Sequence, residues 1–106
     1  MEQTQISPEV MARNAGAAAD LLRALANEHR LMVLCQLAAG ERNVTQLCEA
    51  CPVSQSALSQ HLAKLRAQGL VRTRREGQTI WYAIADPSAA RIIRTLAEIF
   101  CPEALT

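Results

Sequence analysis

The sequence of 106 residues is poor in aromatic residues, glycine and proline. It has one Trp, one Tyr and one Phe, together 3% of the chain, with four glycines and four prolines. Alanine and leucine are abundant instead, and this composition favours helices over a large sheet. No βαβ pattern accompanies the cysteines, which argues against a small thiol oxidoreductase.

The chain also lacks a long apolar run. Because a membrane-spanning helix needs about 18 consecutive apolar residues, none is predicted, and we expect no membrane partner. The first ten residues, MEQTQISPEV, are polar and acidic and have no signal-peptide pattern. We therefore expect a cytoplasmic protein, in which the four cysteines are reduced thiols unless they have a redox or metal role.

A nearly neutral net charge hides an uneven distribution. The formal net charge is +1, yet residues 54–79 hold five of the 11 cations and one of the 10 acids. This segment has a net charge of +4, and the rest of the chain has −3. A localised basic segment is typical of a protein that binds nucleic acid, although a solvated basic face has the same composition.

Apolar periodicity and capping residues predict one domain over residues 1–106 with five helices. The predicted helices cover 8–26, 28–39, 46–51, 55–68 and 88–100. The residues expected to cap their N-termini are, in the same order, Ser7, Asn27, Thr45, Ser54 and Asp86. The apolar positions of the last helix are spread too widely for one small core. Part of its surface is therefore expected to meet a second subunit.

Between the fourth and fifth helices the pattern changes from helix to strand. LVRTRR (70–75) and QTIWYAI (78–84) are rich in β-branched and aromatic residues, and Glu76-Gly77 lies between them as a turn. A short helix, a turn, a longer helix and a basic hairpin make a winged helix-turn-helix. The predicted fold is thus mainly α, with five helices and a two-stranded β-hairpin wing.

The fourth helix has the side chains of a DNA-reading helix. When Leu58, Leu62 and Leu65 face inward, the opposite face carries short polar residues that hydrogen-bond base edges in the major groove. An ordinary amphipathic surface helix can have the same residues, but the ordered set of elements favours double-stranded operator DNA as the partner. The candidate DNA-binding residues are Gln55, Ser56, Ser59, Gln60, His61, Lys64, Arg74, Arg75, Gln78 and Thr79.

These elements together resemble the ArsR/SmtB family of small bacterial repressors. The resemblance is carried by LLRALANEHRLMVLCQLAAGE, by SQSALSQHLAKLRAQGLVRTRREGQTIWYAI and by the closing helix. It implies a transcriptional repressor and not an enzyme, with a homodimer formed by the first and last helices and with DNA read by the fourth. It also implies that an effector or thiol chemistry lowers operator affinity. We expect no cofactor.

Two distant cysteines resemble those of one subgroup of this family. Cys35 in LMVLCQL and Cys101 in EIFCP are similar in position to the thiols of the reactive-sulfur and oxidant sensors typified by BigR, SqrR and HlyU. The resemblance implies that a disulfide or polysulfide bridge links Cys35 to Cys101 when persulfide or an oxidant is present. Cys101 is expected to be the more exposed thiol, and a buried packing role for Cys35 is the alternative.

Cys48 and Cys51 form a C-x-x-C pair at i, i+3, which places both on one face of a short helix. Compared with the arsenic and cadmium sensors of the family, only Cys48 matches a ligand, because Asn43 and Thr45 replace the other two. The alternative function is a repressor released by As(III) or a thiophilic metal through Cys48 and Cys51. The other possibility is that Cys51 only packs under the turn.

Overall fold

Five helices and one small antiparallel sheet make up the domain. A computed structural model describes residues 5–105, so residues 1–4 and 106 of the predicted domain lie outside the description. The elements are α1 (Pro8–Leu25), α2 (Glu28–Ala38), β1 (Arg42–Asn43), α3 (Val44–Ala50), α4 (Gln55–Ala67), β2 (Val71–Glu76), β3 (Thr79–Ile84) and α5 (Pro87–Phe100). A 3₁₀ turn, Pro102–Ala104, follows α5.

Four of the five predicted helix caps are present as hydrogen bonds, among them Asp86, whose side chain accepts the Ser88 N–H at 2.9 Å. The Ser7 hydroxyl accepts the Val10 N–H at 3.4 Å, and the Ser54 hydroxyl accepts the Ala57 N–H at 3.1 Å. The Asn27 side chain accepts two backbone N–H groups at the start of α2, at 2.9 and 3.1 Å. These bonds satisfy helix donors that have no partner within the helix.

The predicted cap of the third helix is wrong. The cap is Asn43 and not Thr45, because the Asn43 side chain accepts the Gln46 N–H at 2.8 Å and the Gln46 side chain accepts the Asn43 N–H at 3.0 Å. This reciprocal pair is a capping box, which satisfies two donors at once. The helix therefore begins at Val44, two residues earlier than predicted.

The wing is part of a three-stranded sheet with the order β1-β3-β2. The predicted hairpin is confirmed by the pairing of β2 with β3, and the added strand β1 pairs with β3 through Arg42↔Tyr82 and Asn43↔Trp81. Glu76 pairs with Thr79, so the turn is Gly77-Gln78, one residue later than predicted. Gly77 has φ of 63°, a backbone conformation that favours glycine.

The core lies between α2, α3, α4 and the base of the wing. Its largest fully buried side chains are Leu34, Leu47, Leu58, Leu62, Leu65, Leu70, Val33 and Cys51. By contrast, α1 buries only Leu25 and α5 only Ala89. The two end helices therefore pack on the core along a narrow strip and leave much of their apolar surface uncovered. Within residues 5–105, no helix has the length and apolar character to cross a membrane.

Candidate nucleic-acid interface and thiol sites

The helix α4 presents two chemically different faces. Leu58, Leu62 and Leu65 are buried, as predicted. The opposite face is solvent-exposed and carries Gln55, Ser56, Ser59, Gln60, Ala63 and Lys64. Lys64 and Arg66 lie in the last turn, where cations are favourable beside the helix dipole. This face can donate and accept hydrogen bonds without a bulky side chain in the way, as a helix in the major groove must.

His61 lies apart from this exposed face. It is half-buried, its ring centroid is 5.7 Å from that of His29, and within the described residues its buried Nδ1 has no hydrogen-bond partner. Burial lowers the pKa of His61, and the nearby Arg30, His29 and Lys64 lower it further. The structure thus places this candidate beside His29 of α2, in surroundings that disfavour its protonated form.

At the wing tip, three of the four candidate residues face solvent. Arg75, Gln78 and Arg74 are exposed, whereas Thr79 is half-buried. The Arg75 Nε donates to the Gly77 carbonyl at 3.2 Å, which fixes its side chain over the turn. Arg75 is exposed and this bond uses only its Nε, so the other donors of its guanidinium are available to a phosphate.

Arg74 is already bonded within the protein. Its Nε donates to both Glu41 carboxylate oxygens, at 3.0 and 2.9 Å, and an NH group donates to Glu76 at 2.9 Å. Its guanidinium carbon also lies 5.5 Å from the centre of the Trp81 ring. Sequence reasoning missed Glu41, because its partner is 33 residues away and no local pattern links them.

The two proposed sensor thiols are free and accessible to different degrees. Cys35 on α2 is exposed, which excludes the buried packing role within the single chain. Cys101 is half-buried, so the expectation that it is the more exposed thiol is wrong. It is the C-terminal cap of α5, where its N–H donates to the Ala97 carbonyl at 2.9 Å. The helices α2 and α5 pack against each other.

Two basic residues that could stabilise a thiolate at Cys101 have other neighbours. Arg94 forms an ion pair with Glu98 at 3.3 Å, and His29 lies beside His61. The negative end of the α5 dipole disfavours a thiolate at Cys101. Of the two thiols, Cys35 is the more accessible to a reagent in solution.

The C-x-x-C pair is split between the core and the surface. Cys51 is 1% exposed and belongs to the hydrophobic core, whereas Cys48 is half-buried. Burial raises the pKa of the Cys51 thiol, and the neighbouring thiols of Cys48 and Cys35 raise it further. Across residues 5–105, no three or more His, Cys, Asp or Glu residues are grouped so that they could hold a metal ion.

Large apolar side chains on α1 and on α5 lie open to solvent. Ile99 is 63% exposed and Phe100 77% exposed at the end of α5. Val10, Met11 and Leu22 are also exposed along α1. Exposed apolar patches of this kind mark interaction surfaces in soluble proteins. We refer to these five residues as the end-helix patch.

A short helix and a longer helix joined by a tight turn, followed by a basic hairpin, define a winged helix-turn-helix regulator. The family model described as bacterial regulatory protein, arsR family, matches residues 27–73. The chain is 45% identical over 91 residues to the transcriptional activator HlyU of Vibrio cholerae, a match that covers 86% of this chain and 84% of that protein. The chain belongs to the ArsR family.

Solved structures agree with this assignment. Reduced HlyU from Vibrio cholerae has a TM-score of 0.82 at 44% identity, covering 88% of this chain and 98% of that one. The transcriptional repressor BigR from Xylella fastidiosa has a TM-score of 0.86 at 38% identity, covering 91% and 98%. ArsR-family proteins bind DNA and typically dimerise. The chain is thus a transcriptional regulator and not an enzyme.

Proposed function

We propose that this protein is a cytoplasmic, homodimeric repressor that is released from operator DNA when thiol chemistry links Cys35 to Cys101. The single observation that carries the proposal is the packing of α5, which ends at Cys101, against α2, which holds Cys35. Both thiols are free and neither is part of the core. The signal is a persulfide, a polysulfide or another oxidant.

DNA binding is assigned to the exposed face of α4 and to the wing tip. Gln55, Ser56, Ser59 and Gln60 are proposed to read base edges, because they are short and exposed. Lys64, Arg75, Gln78 and Thr79 are proposed to contact the sugar-phosphate backbone. Phosphate contacts make the affinity fall as salt rises. His61 is half-buried and supports the position of α4.

The homodimer is proposed to form through the end-helix patch. Covering Ile99 and Phe100 with the same patch of a second subunit removes apolar surface from water, which favours association. Two copies of α4 can then enter successive major grooves, which lie about 34–36 Å apart along the duplex.

A bridge from Cys35 to Cys101 would act on this dimer through α5. When an oxidant makes a disulfide, the two thiols lose two protons and two electrons to that oxidant. With a persulfide donor, the outer sulfur of one donor molecule stays in the bridge, the outer sulfur of a second takes the two electrons and leaves as hydrogen sulfide, and both donors are released as thiols. The link pulls the end of α5 towards α2. Because α5 also carries Ile99 and Phe100, the pull changes the spacing of the two reading helices and lowers operator affinity.

The buried Cys51 supports a two-thiol sensor that excludes the C-x-x-C pair. Its thiol is shielded by the core, and its raised pKa keeps it protonated at neutral pH. Since the thiolate is the reactive form, Cys51 reacts slowly. As(III) or a thiophilic metal through Cys48 and Cys51 lacks support from the structure, because no third ligand joins the pair within residues 5–105.

Mass spectrometry of the persulfide-treated protein tests the proposal. The expected result is one linked peptide pair that contains Cys35 and Cys101, together with loss of binding to operator DNA. Cys35→Ser and Cys101→Ser should each abolish the response while leaving DNA binding by the reduced protein intact. DNA release without any link between these peptides would overturn the proposal.

A double variant at the other two cysteines is the matched control. We choose Cys48→Ser for the partly exposed site and Cys51→Ala for the core site, since a hydroxyl in the core would cost stability. This variant is expected to respond to persulfide like the natural protein. If it loses its response and Cys35→Ser keeps it, the sensor is the C-x-x-C pair.

A further inference from the structure

The strand β2 carries two adjacent arginines whose surroundings differ. Successive residues of a strand point to opposite faces of the sheet, so Arg74 and Arg75 lie on different sides of the wing. Arg74 is held by two carboxylates and an aromatic ring, whereas Arg75 bonds to the Gly77 carbonyl. No ion pair of Arg75 is present among residues 5–105.

The contacts of Arg74 run across the whole sheet. In the register of the strands, Arg74 on β2 pairs with Trp81 on β3, and Trp81 pairs with Asn43 on β1. Glu41 stands two residues before Asn43, at the edge opposite to Arg74. The Arg74 side chain therefore passes over the central Trp81 to reach Glu41, with an Nη–Oε1 distance of 2.9 Å.

Two carboxylates offset the charge of Arg74. Its hydrogen bonds lower the pKa of Glu41, so that carboxylate is ionised at neutral pH, and Glu76 is a second acid on the same guanidinium. Arg72 also lowers the pKa of Glu41 through its charge, and with it the two arginines and two glutamates have a net charge of zero. The guanidinium of Arg74 is therefore already neutralised by carboxylates when a phosphate approaches, whereas Arg75 has no carboxylate partner in the described chain.

The connection also ties the wing to the body of the domain. Glu41 lies between α2 and β1, while Arg74 lies near the free end of the hairpin. A planar guanidinium can bond both oxygens of one carboxylate and stack on a ring at the same time, which restricts the angle between the two segments. This link adds to the pairing of β3 with β1 and of β2 with β3, which holds the rest of the hairpin.

We propose that Arg74 is a positioning residue that, with Glu41 and Trp81, fixes the angle of the wing, and that the phosphate contact of the wing is made by Arg75. This assignment rests on the DNA-binding role proposed above for the wing tip. The two adjacent arginines look equivalent in the sequence, but in this assignment Arg74 orients the wing and Arg75 binds a DNA phosphate.

The salt dependence of operator binding separates the two roles. Arg75→Gln should reduce the slope of log affinity against log salt by about two, one lost phosphate contact in each subunit of a dimer. Arg74→Gln should weaken binding roughly fivefold with an unchanged slope, since only an orienting ion pair is lost. Glu41→Gln should weaken binding to a similar degree, and adding Arg74→Gln to it should cost nothing more.

A charge-conserving variant of Arg74 serves as the control for a general loss of folding. Arg74→Lys keeps the charge but has no planar fork, so it should bind more weakly than the natural protein with the same salt slope. Three results would overturn the assignment: a slope reduced by Arg74→Gln as much as by Arg75→Gln, full affinity of Arg74→Lys, or tighter binding of Glu41→Gln.

Trp81 gives a second readout that needs no DNA. It is the only tryptophan in the chain, so its fluorescence reports the ring beneath Arg74. Iodide should quench it more readily in Arg74→Gln and in Glu41→Gln, and equally in Arg75→Gln and the natural protein. If quenching changes as expected but Arg75→Gln leaves the salt slope unchanged, the orienting contact stands and the DNA-binding role of the wing tip fails. Unchanged quenching in Arg74→Gln and Glu41→Gln would overturn the orienting role.

Discussion

The imidazole rings of His29 and His61 lie 5.7 Å apart and are tilted by 38° to each other. One belongs to the first turn of α2 and the other to the DNA-reading helix α4. The groups that shift the His61 pKa after burial are Arg30, His29 and Lys64, all of which are cationic or become so. None of these groups is an acid, so none of them stabilises the protonated form of His61.

We expect the protein to lose stability as the pH falls below about 6.5, the ordinary pKa of histidine. The pKa of His61 is lower in the folded state than in the unfolded state, so the unfolded state binds more protons at a pH between these two pKa values. The stability that neutral His61 contributes is therefore fully present above the unfolded-state pKa and is lost as the pH falls through the folded-state pKa. Urea unfolding at several pH values checks it. His61→Gln should flatten the curve in this window, and an identical pH dependence in that variant would contradict the prediction.

The capping box of α3 predicts a contrast between two neighbouring polar residues. Asn43→Ala should lower the free energy of unfolding by about 1 kcal/mol, because the Gln46 N–H loses its partner. Thr45→Ala should change it by less than about 0.5 kcal/mol, since Thr45 is exposed and caps nothing. Urea titration of both variants measures the difference, and equal effects would contradict the assignment of the cap.

Two residues on the exposed face of α4 should affect DNA binding in different ways. Gln60→Ala should lower the discrimination between operator and mutated operator by about 1–3 kcal/mol, as expected for a lost base contact. Lys64→Gln should weaken binding to all sequences alike and reduce the salt slope. Gln68→Ala, an exposed change at the end of α4, is the matched control. Titrations with both duplexes at several salt concentrations distinguish these outcomes.

The end-helix patch predicts which isoleucine matters for dimerisation. Ile99→Glu should raise the dissociation constant of the dimer at least about tenfold, because burying an isoleucine contributes roughly 1.5–3 kcal/mol and a charge opposes burial. Ile80→Glu makes the same chemical change at an exposed position on the wing and should leave the dimer intact. Light scattering after size-exclusion chromatography gives the mass of each variant. A dimer that tolerates Ile99→Glu would contradict this interface.

Local patterns were enough to predict most of the fold. Short-range patterns in the sequence predict the caps Ser7, Asn27 and Ser54 and the inward-facing leucines of α4. The strand β1 was missed because two residues show no periodicity. The cap at Asn43 is hard to predict for a different reason, since Thr45 is also a favourable capping residue and only the reciprocal bonds with Gln46 distinguish the two.

The site was less predictable than the fold. The sequence identified the basic hairpin, but it could not show that Arg74 bonds to Glu41 while Arg75 does not, because that depends on which face of the sheet each residue occupies. The relative exposure of Cys35 and Cys101 also depends on tertiary packing. The closeness of Cys101 to the last residues of the sequence is a poor guide to its exposure, since the turn Pro102–Ala104 follows it.

The sparse burial of α1 makes its stability depend on the concentration of the protein. Of its 18 residues only Leu25 is buried in the single chain, and an isolated helix of this length is marginal in water. In the proposed dimer, the folding of α1 is therefore coupled to association, and the melting temperature rises with protein concentration. If the proposed dimer dissociates at low concentration, α1 loses the packing that supports it, so the concentration of the protein would act beside the proposed thiol signal.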